Sequence, residues 1–254
     1  MNTTATSIDD LAPLVRPETL VRAEAEYARI LELLASLEPD EWAAPTECPG
    51  WDVRRMVAHL LGAADAHASL RQMAHQMRLG RREAGPLETG ISAVQVRERD
   101  HLTPAELLER FRRAAPRSVR ARRRVPRPVR AMPIKDDSMD PPERWRLGYL
   151  LDTIYTRDCW MHRVDICRAT GADMVLSADH DGRIVADVVA DWARRHGEAF
   201  ALTLTGPAGG SYRSRDATTA TPTLSLDAVQ FCRILSGRDE ASTRQGLLAT
   251  RVPF

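Results

Sequence analysis

The chain has 254 residues, 36 of them basic and 35 acidic, for a formal net charge of +1, and 43% are hydrophobic. That balance suits one large or two modest folded cores and excludes wholesale disorder, while the near-zero charge supplies no global field toward nucleic acid or an anionic membrane. No stretch approaches the roughly 20 consecutive apolar residues of a membrane span, and the opening MNTTATSIDD lacks the basic and apolar parts of a signal peptide, so the cytoplasm is the expected location. Cysteines at 48, 159, 167 and 232 form neither a CxxC pair nor a dense even framework, so reduced thiols are expected.

After a polar start that reads as frayed, residues Pro17 to Leu37 predict a helix, with Leu20, Ala23, Tyr27, Ile30, Leu31 and Leu34 at helical spacing. The turn-forming segment PTECPGW, residues 45 to 51, leads to Asp52, which caps a second helix from about Val53 into the seventies. Gly80 to Gly90 reads as a loop. A third helical stretch restarts at Thr103, where Pro104 and Glu106 complete a capping pattern. The run FRRAAPRSVRARRRVPRPVR carries clustered arginines and ends in prolines, which reads as an exposed helix face and a loop. Pro141 and Pro142 then open a fourth helix, about Glu143 to Ala169, stopped by Gly171.

These segments predict a four-helix bundle over residues 1–175. Residues 176–254 read as a small α+β domain. It has a helix over 181–196, a strand at AFALTLT, further strands at Tyr212 to Arg215 and Thr223 to Leu226, and a short helix capped by Asp227 and closed by Gly237. The fold class is therefore α+β.

In the fourth helix Leu147, Leu151, Ile154, Asp158, His162 and Asp165 share one face, so ionisable groups continue an apolar stripe toward the interior. Unpaired charge there is costly, and a metal ion would compensate it, since a carboxylate and an imidazole one turn apart can reach one ion. His59 in the second helix is the third candidate ligand. Three protein ligands leave an open position, the arrangement of catalytic rather than structural zinc. His67, two turns or about 12 Å beyond His59, is too distant to share the ion. The bland readings stand beside this one: His59 as an ordinary helical histidine, Asp158 and His162 as a simple i,i+4 pair.

PTECPGWDVRRMVAHLLG, residues 45 to 62, resembles the opening signature of the mycothiol-dependent maleylpyruvate isomerase family, relatives of the DinB/YfiT-like bundle metalloenzymes. In RDCWMHRVDICRATG the family's acidic-x-x-x-His pair falls on Asp158 and His162, and its following Asp on Asp165. DAVQFCRILSGR, residues 227 to 238, is similar to the end of the family's sterol-carrier-like C-terminal domain. The resemblance implies zinc or another divalent ion on His59, Asp158 and His162, with mycothiol as the thiol co-substrate. It also implies a catalytic arginine in the C-terminal domain, for which Arg238 is the candidate and Arg233 the alternative. The family pattern has glutamate where this chain has Asp158, which leaves the metal open. Asp165 then reads as a group behind the ligands, and Arg163 as structural or substrate-facing.

The expected function is a metal-dependent S-transferase or isomerase that adds a low-molecular-weight thiol to a small electrophilic substrate. The alternative is a non-catalytic DinB-like binding or regulatory protein. The arginine run, without a nucleic-acid-binding motif beside it, does not argue for nucleic acid. A monomer or homodimer is expected.

Overall fold

The computed structural model describes residues 5–239 and 241–254. The chain divides into two compact units, Val15–Asp173 and the combination of Met1–Leu14 with Met174–Phe254. Residues 1–4 of the expected frayed start lie outside the description. The rest of that start is not frayed, because Thr6–Ser7 forms strand β1 of the second unit.

In the helical unit α1 (Glu18–Ser36), α2 (Val53–Ala68), α5 (Pro104–Arg124) and α8 (Tyr155–Thr170) share one core, while α3 (Leu70–Gly80) and α4 (Leu87–Arg97) pack beside α2. Tyr27, Ile30 and Leu34 of α1, Met56, Leu60 and Leu61 of α2, and Leu107 and Phe111 of α5 fill that core; Tyr27 meets Phe111 edge to face at 5.5 Å. The local signals act as expected at several ends. Asp52 accepts from the Arg55 amide at 2.7 Å, Thr103 and Glu106 complete the capping box, and Gly171 closes α8 in the left-handed conformation. Where α3 meets α4 the backbones touch: a side chain on Gly90 would lie 2.3 Å from the Gly80 carbonyl oxygen.

Further expectations need correction. The loop read over Gly80 to Gly90 narrows to residues 81–86, because Gly80 ends α3 and Leu87 opens α4. The second helix does not run unbroken into the seventies, because Ser69 turns extended and its hydroxyl caps α3 through the Gln72 amide. The arginine run is helical to Arg124, with Pro116 inside α5 and the short α6 (Arg127–Arg130) beyond, and Arg122 is buried rather than exposed. The fourth helix does not start at Glu143. Residues Glu143–Arg146 form β3, paired antiparallel with β2 (Pro133–Asp136), and the hairpin places Trp145 against Met139 and Ile154. Pro141 and Pro142 thus belong to a hairpin loop. Helix begins with α7 (Leu147–Tyr149), passes through a π-type turn at Leu150–Ile154 and becomes α8. Such wide turns rotate the residues that follow and concentrate at functional sites.

The second unit carries a four-stranded sheet of order β1-β5-β4-β6, from β4 (Ala201–Thr205), β5 (Gly210–Arg213) and β6 (Thr223–Asp227). β5 runs antiparallel to β4, while β6 and β1 run parallel to β4 and β5 respectively. Helices α9 (Arg183–His196) and α10 (Ala228–Ser236) supply Trp192 and Phe231, whose rings meet at 5.4 Å. Asp227 caps α10 through the Val229 and Gln230 amides. Among the described residues no helix is long and apolar enough to cross a membrane.

One buried ion pair ties α1 to α8: Arg163 Nε donates to Glu26 Oε1 at 2.5 Å and Nη2 to Oε2 at 3.2 Å, with both side chains almost fully enclosed. Removing the carboxylate takes two charge-assisted hydrogen bonds from an enclosed guanidinium, so Glu26→Ala is expected to destabilise the protein by about 3–5 kcal/mol, read from the urea midpoint. A loss within the roughly 1 kcal/mol of a surface pair would contradict this account.

Candidate metal centre

The segment before α2 is a tight turn. Thr46 donates its amide and hydroxyl to the Trp51 carbonyl, both at 2.9 Å, and Trp51 donates its amide to the Cys48 carbonyl at 3.0 Å. Gly50 sits at φ +79°, a conformation that favours glycine. The turn sets the Trp51 ring 5.1 Å from that of His59 and 6.3 Å from that of His162, centroid to centroid.

His59 comes from the middle of α2, Asp158 and His162 from successive turns of α8. The structure brings these three together: His59 Nε2 lies 3.7 Å from Asp158 Oδ2, and His162 Nε2 lies 3.2 Å from Asp158 Oδ1. One ligand atom from each falls within 4.8 Å of the others. Ligands bound tetrahedrally at 2.0–2.2 Å stand about 3.5 Å apart, so the residues as placed fit a divalent cation. One further feature suits that fit: the Asp158 side chain keeps 22% of its surface exposed, which leaves an approach from solvent.

Behind the trio, His162 Nδ1 lies 3.0 Å from Asp165 Oδ2, and Asp165 is fully enclosed. A carboxylate on the far nitrogen fixes the ring's orientation and tautomer and leaves Nε2 as the ligating atom. The charges answer to one another. Burial opposes the Asp158 charge, but His162 and then His59 outweigh it and hold the carboxyl well below its ordinary value. Burial likewise opposes protonation of His162, yet Asp158, Asp165 and Cys48 raise that imidazole well above the usual histidine range. The place therefore favours positive charge.

His67 is not part of the trio. Its Nδ1 lies 3.1 Å from Ser118 Oγ, its ring lies 4.0 Å from that of Tyr155, and burial followed by the nearby Arg122 charge lowers its pKa to about 3. Arg163 is almost fully enclosed and pairs with Glu26. Arg238 and Arg233 belong to the other compact unit: Arg238 follows the Gly237 stop of α10, half-buried, and Arg233 is buried and donates to Gln230 at 2.5 Å.

Sequence reasoning overlooked two neighbours of the trio. Cys48 and Trp51 flank Pro49-Gly50 directly before the Asp52 cap, and that turn signal could have placed both beside the start of α2. Arg122 continues the buried stripe Leu107, Phe111, Ala115, Ser118, and its Nη2 donates to Thr156 Oγ1 at 3.1 Å.

The paired shifts set a pH window for the metal-free protein. The raised His162 pKa adds stability that is complete below about pH 6.5 and disappears as pH rises through the folded value. The lowered Asp158 pKa adds stability present above about pH 3.8 and lost as pH falls through its own folded value. With chelator present, the urea midpoint should fall on the alkaline side, and Asp158→Asn should flatten that limb. An alkaline limb identical in the two proteins would contradict the pairing.

Residues 23–167, more than half of the chain, match the family described as the mycothiol maleylpyruvate isomerase N-terminal domain. No curated protein matches the sequence. Two solved structures share the fold. A crystal structure of the mycothiol-dependent maleylpyruvate isomerase matches with TM-score 0.58 and 18% identity over 93% of each chain. That of a histidine-to-alanine mutant of the isomerase matches with TM-score 0.57 and 17% identity over 92% of each. The α+β architecture expected from the sequence is the architecture of these structures. With its helical unit matched almost from end to end, the chain belongs to the mycothiol maleylpyruvate isomerase N-terminal domain family.

Proposed function

We propose that the protein is a metal-dependent enzyme that uses mycothiol as co-substrate in an isomerase or S-transferase reaction on a small electrophilic molecule. The carrying observation is the convergence of His59, Asp158 and His162, with Asp165 behind them and one side open, inside a chain of this family.

His59 Nε2, Asp158 and His162 Nε2 would hold the cation, zinc being the first candidate for two imidazoles and a carboxylate. When bound, such an ion lowers the pKa of a coordinated thiol and so supplies a thiolate near neutral pH. The chain's own residues prepare the place. Asp165 accepts the His162 Nδ1 proton and directs Nε2 inward, the Trp51 ring flanks both imidazoles, and the partly exposed Asp158 marks the approach for the thiol and the electrophile. Aspartate in place of glutamate still brings a carboxylate oxygen to 3.2 Å and 3.7 Å of the two imidazoles, so the shorter arm suits a shared ion.

In the isomerase reading, thiolate addition to a double bond permits rotation and elimination returns the thiol; in the transferase reading the thiol stays attached. Arg238 is proposed as the catalytic arginine of a sterol-carrier-like C-terminal domain over residues 176–254, being more accessible than the buried Arg233. A cytoplasmic location agrees with four free cysteines. A monomer or homodimer completes the reading.

Metal analysis tests it first. Wild-type protein resupplied with zinc after chelation is expected to hold near one equivalent, and Asp158→Ala and His162→Ala each to lose it, whereas His67→Ala keeps it. Equal metal in all four proteins would overturn the ligand assignment, and no metal in the wild type would favour the non-catalytic binding reading.

Thiol dependence is a separate measurement. Turnover of maleylpyruvate or a panel of small electrophiles should appear only when mycothiol is supplied, and should fall at least about tenfold in Arg238→Ala with metal content unchanged. Turnover that is the same without the thiol would remove that half of the proposal.

A further inference from the structure

His162 has two ring nitrogens, and each faces its own set of donors. Nε2 faces Asp158 and His59; Nδ1 faces Asp165 Oδ2 at 3.0 Å, and the Cys48 thiol lies 3.8 Å from that same oxygen. The Cys48 sulfur, His162 nitrogen and Asp165 oxygen all fall within 4.8 Å of one another. They thus make a compact thiol, imidazole and carboxylate cluster on the opposite side of the ring from the His59 group. The backbone holds the cysteine in place: its amide donates to Thr46 Oγ1 at 3.3 Å and its carbonyl accepts from Trp51. Cys48 is half-buried, whereas the carboxylate it faces is fully enclosed.

We propose that Cys48, His162 and Asp165 form a second cation position, selective for thiophilic ions, that competes with the His59 position for the single lone pair of neutral His162. The spacing fits. Tetrahedral bonds of 2.0–2.3 Å to nitrogen, oxygen and sulfur separate ligands by about 3.5 Å, close to the 3.0 and 3.8 Å seen here. Soft thiolate favours cadmium or copper(I) over magnesium or calcium, while zinc goes first to the two imidazoles and carboxylate of the His59 position.

The competition follows from tautomers. With the ion on Nε2, the Nδ1 proton is donated to Asp165; with the ion on Nδ1, the Nε2 proton is donated to Asp158, 3.2 Å away. Each carboxylate is therefore a ligand in one state and a hydrogen-bond acceptor in the other, and neither state leaves a buried carboxylate unpaired. The coordinated thiol gives its proton to solvent as the ion binds. This goes beyond the proposed reaction and touches it only through His162.

Cadmium alone is the probe. The full-length protein, stripped with chelator and dialysed, is titrated with Cd²⁺ while the thiolate-to-cadmium absorption band is followed. The wild type is expected to develop the band, His59→Ala to keep it, and Cys48→Ser to lose it with cadmium affinity down at least about tenfold. A wild-type protein without the band, or a band persisting in Cys48→Ser, overturns the proposal. Should Cys48→Ser fail to fold, the wild type still decides. Cadmium should shield Cys48 from alkylation as read by peptide mapping, and equal alkylation with and without it overturns the site.

Pre-loading with one equivalent of zinc should weaken the cadmium band at least about tenfold, and an unaffected band with zinc retained overturns the competition. The two readings fail separately. Loss of zinc binding at His59, Asp158 and His162 with an intact cadmium band sinks the proposed function and the competition but keeps the Cys48 position, and the reverse sinks only this inference.

Discussion

Helix α8 is buried on nearly every side from Thr156 to Cys167, yet this stretch carries Arg157, Asp158, His162, Arg163 and Asp165. A charge removed from water must be paired or bound, and that single requirement orders much of the helical unit. Arg163 answers it through Glu26, which locks the rotation of α8 against α1. In that orientation His162 and Asp158 face His59 of α2, and Asp165 lies behind His162. The π-type turn at Leu150–Ile154 lies directly before this stretch, so the apolar stripe that leads in and the polar cluster that follows need not keep one phase. Ile154 accordingly joins Trp145 and Met139 in a separate small cluster, while Cys159 and Ile166 join the main core.

The same requirement separates the two histidines of α2. His59 Nε2 has a carboxylate within reach, and the two suit a shared cation. His67 lies among Ser118, Tyr155 and the buried Arg122, surroundings that favour the neutral ring. Two turns of one helix thus present the same side chain to opposite electrostatic environments. What differs is the neighbour supplied by α5 and α8: a carboxylate for His59, and for His67 a serine, an aromatic ring and a guanidinium.

Much of the fold was legible because its signals are local. Asp52, Thr103 with Glu106, Gly171, Asp227 and Gly237 start or stop helices through groups within a few residues, and Leu20 to Leu34 mark the buried face of α1 by spacing alone. The candidate trio was legible in part for the same reason, since Asp158 and His162 stand one turn apart on a single helix. Misreadings arose where pairing is distant. ERWR becomes a strand only because PIKD lies alongside it, Thr6–Ser7 only because β5 offers an edge, and Arg122 lies inside because its stripe outlasts the arginine pattern around it.

The sequence by itself therefore determined the α+β class, most helix ends, the position of the acidic-x-x-x-His pair and the family resemblance, all of which depend on short-range spacing. Only the tertiary structure decided that His59 and not His67 meets Asp158, that Asp165 and Cys48 stand behind His162, and that the N-terminal segment joins the second unit. Those facts depend on how separate segments are rotated against one another, and burial and charge pairing across the whole fold set that rotation.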